Sequence, residues 1–366
     1  MKKILLSIIA ATFVFTALGC TKKSGAASEP ATRTIVDQNG DSITIPSKIE
    51  RVVITSLWPL PSIYCLYRGG ITNLVGMHPG SMAAAKNSYL AAVYPDVLNI
   101  STKFVENNVV NIEQLMSLKP DVILFSATNT KEKEMFRAAG LPAIGFATNI
   151  AGWNTIETYA SWIQLLGEIF GDTGRSTKII EYGRKIEEMV KSRNDSVSDA
   201  ERPKTLILFR YDQSGIATSG STHFGQYWIT TAGGKNVAQD MKGVPSINME
   251  QIYQWNPDII VLTNFTAYLP EDLYDNRIKG YDWSTVNAVK NRKVYKFPLG
   301  MYRWYPPSSD SPLSLLWLST KLQSEKFADI DMDKTIKDYF KNLYGVTLTD
   351  EDVNTIYNPP REAAVY

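Results

Sequence analysis

The sequence predicts an α/β protein of two lobes joined by a helical segment. Three observations carry that expectation. Short β-branched runs alternate with stretches of helical periodicity; the alternation stops at about residue 155 and resumes after Pro203; and a stretch of the first half is echoed in the second. The echo aligns VNIEQLMSLKPDVILFS, from Val110, with INMEQIYQWNPDIIVLT, from Ile247, at an offset of 137 residues. A chain of 366 residues that is 44% hydrophobic and 20% charged can bury two cores, which excludes disordered, collagen-like and coiled-coil architectures. With 38 Lys+Arg against 37 Asp+Glu the net charge is +1, so no electrostatic footprint for nucleic acid or an anionic membrane surface is present.

The elements follow in order. Lys2-Lys3, the apolar run Ile4 to Phe15 and the small-residue stretch ending at Gly19 read as a signal peptide, residues 1–19. That run is too short to span a bilayer well, and no other segment is apolar for long enough to cross one. Ending on Gly19-Cys20, it resembles a bacterial lipoprotein signal, in which Cys20 becomes the lipid-modified first residue; Ala17 stands where Leu is usual. Residues 20–33 are small and polar and read as a flexible tether. Cys65, the other cysteine, has no disulfide partner once Cys20 is acylated and reads as a buried small hydrophobe.

A first lobe over residues 34–154 opens with two alternating runs around Asn39-Gly40, a dipeptide that favours a tight two-residue hairpin turn. Then come a buried strand, Glu50 to Ser56, a helix, Pro61 to Arg68, and a strand, Leu74 to Gly76. A helix from Asn111 to Leu118, a strand from Asp121 to Ser126, a helix from Lys131 to Ala139 and a strand from Pro142 to Phe146 complete it. Residues 155–200 carry apolar side chains at helical spacing and form a connector, broken near Gly171 to Gly174. A second lobe, residues 201–310, runs from the strand KTLILFRY to the strand Lys293 to Phe297. A helical region, residues 311–366, closes the chain. In the echo, Asn111/Asn248, Glu113/Glu250, Gln114/Gln251, Pro120/Pro257, Asp121/Asp258 and Ile123/Ile260 are identical pairs, and packing alone does not demand the matched glutamates.

Taken together, the leader, the TIVDQNG hairpin, RVVITS, the paired N-x-E-x-x-x-x-x-x-P-D segments, the connector, TAGGKNVA and PLGMYRWYPPSSDSPLSLLWLSTKL resemble the substrate-binding proteins of bacterial ABC importers for iron-siderophore complexes, haem and cobalamin. That resemblance implies two Rossmann-like lobes joined by one rigid helix, a ligand cleft between them and little hinge motion. It implies that Glu113 and Glu250 each enter an Arg pocket on the two-subunit permease, which works with ATPase subunits. It further implies a monomer without an intrinsic cofactor, lipid-anchored to the outer face of the cytoplasmic membrane, whose cargo is a metal chelate, with iron foremost.

Ligands of open α/β sheets sit beyond the carboxyl ends of the strands, so the loops leaving those ends supply the site candidates. They are Trp58, His78, Arg210, Tyr211, His223, Phe224, Trp228, Tyr302, Arg303, Trp304 and Tyr305. His78 and His223 are the only histidines, one in each lobe. Two are too few for a bare transition-metal ion but suit completing the coordination of a chelated metal or binding haem axially; a plain polar-loop role is the alternative. Arg210 and Arg303 favour an anionic chelate, and the rings could stack on a planar ligand or simply pack the lobes together. A siderophore, haem, a corrinoid and a small nickel or cobalt chelate all fit this set. The chain carries no dinucleotide fingerprint, phosphate loop or nucleophile elbow, which argues against an enzyme. A surface lipoprotein without a transport role would leave the matched glutamates unexplained.

Overall fold

The computed structural model describes residues 31–364. The expected signal peptide, Cys20 and most of the tether therefore lie outside the described residues. Thr32 and Arg33, expected to end the tether, already belong to a strand.

The first lobe contains β1 (Thr32–Val36), β2 (Ser42–Pro46), β3 (Val52–Ile54), α1 (Leu60–Arg68), β4 (Leu74–Met77), α2 (Pro79–Asn87) and α3 (Tyr89–Val93). It continues with β5 (Val105–Glu106), β6 (Val109–Val110), α4 (Ile112–Ser117), β7 (Val122–Ser126), α5 (Thr130–Ala138) and β8 (Ala143–Phe146). Its sheet has the order β4-β3-β7-β8 with every pair parallel. The central strands β3 and β7 are buried on both faces, as their continuous apolar runs require.

The β1–β2 hairpin does not use a two-residue turn. Asp37 N–H bonds Asp41 C=O and Gly40 N–H bonds Asp37 C=O, both at 2.9 Å, with Gly40 at φ 81°, which is a three-residue loop closed by a left-handed glycine. The Asp37 carboxylate decides this: it is buried and accepts from the N–H groups of Asn39, Asp41 and Gly145, each at 2.9 Å, pinning the loop to β8.

Two antiparallel helices, α6 (Thr155–Phe170) and α7 (Thr173–Asn194), form the connector. Gly171, left-handed at φ 76°, ends the first, and the Asp172 carboxylate caps the second by accepting from Arg175 N–H. The expected break near Gly171 to Gly174 thus falls between a shorter helix and the long one. The longer, α7, is 22 residues, or about 33 Å at 1.5 Å per residue.

In the second lobe lie β9 (Lys204–Asp212), β10 (Gly215–Thr218), α8 (Phe224–Thr231), β11 (Lys235–Asn236), β12 (Ser246–Ile247), α9 (Met249–Trp255), β13 (Ile259–Leu262), α10 (Pro270–Tyr274), α11 (Asn287–Lys290) and β14 (Val294–Lys296). The sheet order is β12-β10-β9-β13-β14, parallel across β9-β13-β14 and antiparallel across β12-β10-β9, with β11 also pairing β9. Finally α12 (Ser311–Leu322), α13 (Met332–Tyr344) and α14 (Asp350–Tyr357) follow, and α12 packs on both α6 and α7.

The sequence echo is a structural repeat. Asn111 and Asn248 cap α4 and α9, their side-chain oxygens accepting from Gln114 N–H at 3.1 Å and Gln251 N–H at 3.0 Å. One turn on, Leu115 and Ile252 are fully buried. Asp121 accepts from Glu50 N–H (2.7 Å) and Arg51 N–H (2.9 Å), and Asp258 accepts from Lys204 N–H (2.9 Å), so each aspartate ties its repeat to the start of the neighbouring strand.

Candidate functional site

A cleft of about 220 Å³ lies between the lobes. The first lobe lines it with Ser56, Leu57, Trp58 and Pro59 after β3, Ser126 at the end of β7 and Thr148 after β8. Trp162 of α6 also contributes, and the second lobe supplies Phe224 at the start of α8, Phe265 after β13, and Tyr302, Pro306 and Pro307. A larger groove of about 930 Å³ lies on the flank of the second lobe, but its lining includes no first-lobe residue. The position at the carboxyl ends of strands from both lobes makes the smaller cleft the candidate site.

Of the residues expected from sequence, Trp58, Phe224 and Tyr302 line the cleft. His78 and His223 stand directly behind two of these rings. His78 caps α2, its Nδ1 accepting from Gly80 N–H at 2.9 Å, and Trp58 stacks on its ring at 5.0 Å. Gly80 permits that stack, since a Cβ there would meet the Trp58 ring at 2.8 Å. With Nδ1 accepting, the proton of the neutral imidazole sits on Nε2. His223 precedes Phe224, and its Nδ1 lies 3.0 Å from Ser219 Oγ and 2.7 Å from Tyr305 Oη. Ser219 Oγ accepts from Gly225 N–H at 3.0 Å and from Tyr305 O–H at 2.8 Å, so the imidazole, the serine and the tyrosine form one hydrogen-bonded cluster behind Phe224. Burial lowers both imidazoles to a pKa of about 4, so both are neutral at pH 7.

The other expected residues do not line this cleft. Tyr211 is not in a loop: β9 runs on to Asp212 and turns back as β10, pairing Arg210 with Ala217 and Tyr211 with Ile216. Tyr211 is consequently buried in the second-lobe core, where Trp283 Nε1–H donates to its hydroxyl at 3.0 Å. Arg210, on the opposite face of β9, is exposed, with its guanidinium 5.4 Å from the Phe209 ring. Trp228 is enclosed and donates through Nε1 to Tyr305 C=O at 2.6 Å; Trp304 and Tyr305 are enclosed as well. Arg303 has no exposed surface. It donates to Ala363 C=O at 2.9 Å, and its guanidinium lies 4.6 Å from the Phe265 ring and 5.7 Å from the Tyr302 ring. It places positive charge behind two cleft-lining rings without reaching the cleft.

Sequence reasoning missed the hydroxyl floor and the acid beneath it. Ser56 Oγ accepts from Ser126 N–H at 3.1 Å and donates to Glu132 Oε2 at 2.8 Å, and Thr55 donates to the same oxygen at 2.6 Å. Glu132 is buried on α5, and burial raises its pKa. Asn129-x-x-Glu132 has the spacing of a capping box, and that was the available signal. Only half the box forms, because Asn129 accepts from Glu132 N–H (3.1 Å) while the Glu132 carboxylate turns to β3. Among the described residues no three His, Cys, Asp or Glu side chains converge to hold a metal ion.

Glu113 and Glu250 are not among the cleft-lining residues; they sit in the first turns of α4 and α9. Both are exposed, and neither has an ion pair among the described residues.

Comparison with known proteins agrees with this architecture. A periplasmic solute binding protein from Veillonella parvula, of known structure, is 31% identical and superposes with a TM-score of 0.80, the match covering 90% of this chain and 97% of that one. The molybdate-binding protein MolA of Haemophilus influenzae is 26% identical over 348 residues, 89% of this chain and 95% of its own. The high-affinity heme uptake system protein IsdE of Staphylococcus aureus is 25% identical over 191 residues, 50% of this chain and 62% of that protein. Residues 74–299 match the family described as periplasmic binding protein, more than half of the sequence, and the chain belongs to that family.

Proposed function

We propose that the chain is the ligand-capturing component of an ABC importer, held by a lipid on Cys20 at the outer face of the cytoplasmic membrane, and that its cargo is a small metal oxyanion. Glu113 and Glu250 present the loaded protein to a permease that works with ATPase subunits. The observation that carries the choice of cargo is the size of the cleft. At about 220 Å³ it falls below the roughly 300–1,000 Å³ of sites for drug-sized ligands. A tetrahedral oxyanion of the molybdate class fits that volume, whereas haem, a corrinoid or a ferric siderophore exceeds it and would extend out of the cleft.

The donors support the same reading. Ser126 and Thr148 line the cleft with hydroxyl side chains, the Ser56 proton being committed to Glu132, and the buried Arg303 supplies positive charge behind its rings. Axial ligation by His78 requires its Nδ1 to carry the proton, and Gly80 N–H already occupies that atom. The relative named for molybdate adds weight, because the match spans nearly its whole length. A metallated macrocycle or siderophore is the second reading, favoured by the ring-rich lining and the haem-uptake relative.

The test is a titration of the leader-free protein with molybdate, tungstate, haemin, a ferric siderophore, cobalamin, and nickel or cobalt with histidine. Tryptophan fluorescence and thermal unfolding are the readouts. Molybdate at about one hundred times its Kd is expected to stabilise the fold by about 2.7 kcal/mol. Tight binding of haemin or a siderophore with no response to molybdate would overturn the choice of cargo.

A further inference from the structure

Among the described residues six large apolar side chains stand exposed, and four of them lie in or just before the two repeats: Val109, Met116, Val244 and Tyr253. Met116 and Tyr253 occupy equivalent positions, since both are three residues beyond the paired glutamates and 137 residues apart. Met116 is 48% exposed and Tyr253 is 41% exposed. On a helix, positions i, i+3 and i+4 share one face. The outward face of α4 therefore carries Glu113, Met116 and Ser117, and that of α9 carries Glu250, Tyr253 and Gln254, all of them exposed. The same pattern, an acid followed one turn later by a large apolar side chain, is thus presented twice by two pseudo-equivalent lobes.

Nothing inside the fold calls for this arrangement. Leu115 and Ile252 already anchor the inner faces of the two helices and are fully buried. Tyr253 is held in place by its hydroxyl, which donates to Asp282 C=O at 2.7 Å, leaving the ring at the surface. Exposed large apolar groups beside unpaired carboxylates at matched sites are the composition of an interface: an apolar centre that excludes water, with charged contacts setting register.

We propose that Met116 and Tyr253 are apolar anchors of the permease-docking surface, each entering a recess beside the basic group that receives its neighbouring glutamate, with Val109 and Val244 flanking them. The occupant is a membrane partner with two-fold related recesses, each basic on one side and apolar on the other. This rests on the reading of Glu113 and Glu250 as docking acids, and it divides the interface into a salt-sensitive part and a salt-insensitive part.

The experiment measures binding of the full-length protein to its permease–ATPase complex in nanodiscs, at low and high salt, together with uptake. Met116→Ser and Tyr253→Ser are each expected to weaken binding roughly tenfold, the usual scale for truncating a central interface residue. They should keep the salt dependence of the wild type and leave ligand affinity unchanged. Glu113→Ala with Glu250→Ala should instead flatten the salt dependence. Because Tyr253→Ser also loses the bond to Asp282, Met116→Lys serves as an independent variant: it keeps helix propensity and sets a positive charge before a basic recess, so a larger loss is expected. Unchanged binding by the Met116 and Tyr253 variants, with loss in the glutamate pair, would retire the apolar anchors and leave carboxylate docking standing. Unchanged binding by all variants would remove the docking face itself.

Discussion

Asp310 shows how one enclosed side chain can tie the cleft to pH. Its carboxyl has no exposed surface and accepts from Tyr302 N–H at 3.0 Å, holding the loop that carries the cleft-lining Tyr302. Burial pushes its pKa up to about 7 from the ordinary 3.8. Between about pH 4 and pH 7 the unfolded chain has released this proton and the fold retains it, so stability falls as pH rises through that window and then levels off. Asp310→Asn removes the effect. The variant should gain on the wild type as pH rises from about 5 to about 8, by roughly 2–4 kcal/mol at the upper end, read from urea midpoints at each pH. A difference that stays constant with pH would show that Asp310 is ionised throughout. His78 and His223 act with the opposite sign, since imidazoles lowered to about 4 cost stability as pH falls from about 6.5, and they cancel in this comparison. At this scale the sequence identified residue types better than roles. Trp58, Phe224 and Tyr302, read as cleft residues from the loops that follow strand ends, line the cleft, whereas Arg303 and Tyr211, read in the same way, do not. Whether an arginine faces a cleft or is enclosed behind two rings depends on chain segments far away, here Ala363 and Phe265.

The repeated helix-turn-strand element is the best-determined part of the chain, and its two copies allow an internal comparison. Asp121 holds two backbone N–H groups and Asp258 holds one from the equivalent position. Removing either carboxylate strands those donors, at about 1–3 kcal/mol for each group that stays buried. Asp121→Ala is therefore expected to destabilise the fold more than Asp258→Ala, by roughly a factor of two, with urea denaturation as the measurement. Equal losses would mean that water replaces the second bond. Among the elements read from pattern, those with caps or continuous apolar runs stood out most clearly: β3, β7, β13, α4, α6, α7 and α9. The helices α2 and α3 were not read. Pro79-Gly80-Ser81 looks like a turn, α2 has three alanines in nine residues and no apolar periodicity, and its cap is a histidine rather than Ser, Thr, Asp or Asn. The β9–β10 hairpin escaped for a related reason, since the polar Asp212-Gln213-Ser214 reads as the end of a strand lobe element rather than as a turn inside one sheet.

For the molecule as a whole, the geometry of the cleft depends on how the helical pair fastens the lobes. Glu187 of α7 is a junction: it accepts from Asn154 Nδ2 at the exit of the first lobe (2.9 Å) and from Tyr227 O–H of the second (2.8 Å), and it pairs with Lys191 (2.7 Å). It is only 5% exposed, and Tyr227 depends on it. Glu187→Ala should lower stability by about 1–3 kcal/mol and weaken ligand binding by loosening the lobes, whereas Glu187→Gln, which keeps an acceptor, should lose less. Thermal unfolding and ligand titration of both variants check this, and equal behaviour of the two would show that charge rather than hydrogen bonding holds the junction. By itself the sequence determined the two α/β lobes, the helical join, the repeated segment and its paired glutamates. Those features are written in local periodicity, capping residues and self-similarity, which short-range physics reads directly. Only the tertiary structure decided the volume of the cleft, the hydroxyl floor over Glu132, the meeting of His223 with Tyr305 and the burial of Arg303. Each of these arises where chain segments more than fifty residues apart meet, and the desolvation and hydrogen bonding that set their chemistry exist only once those segments are packed.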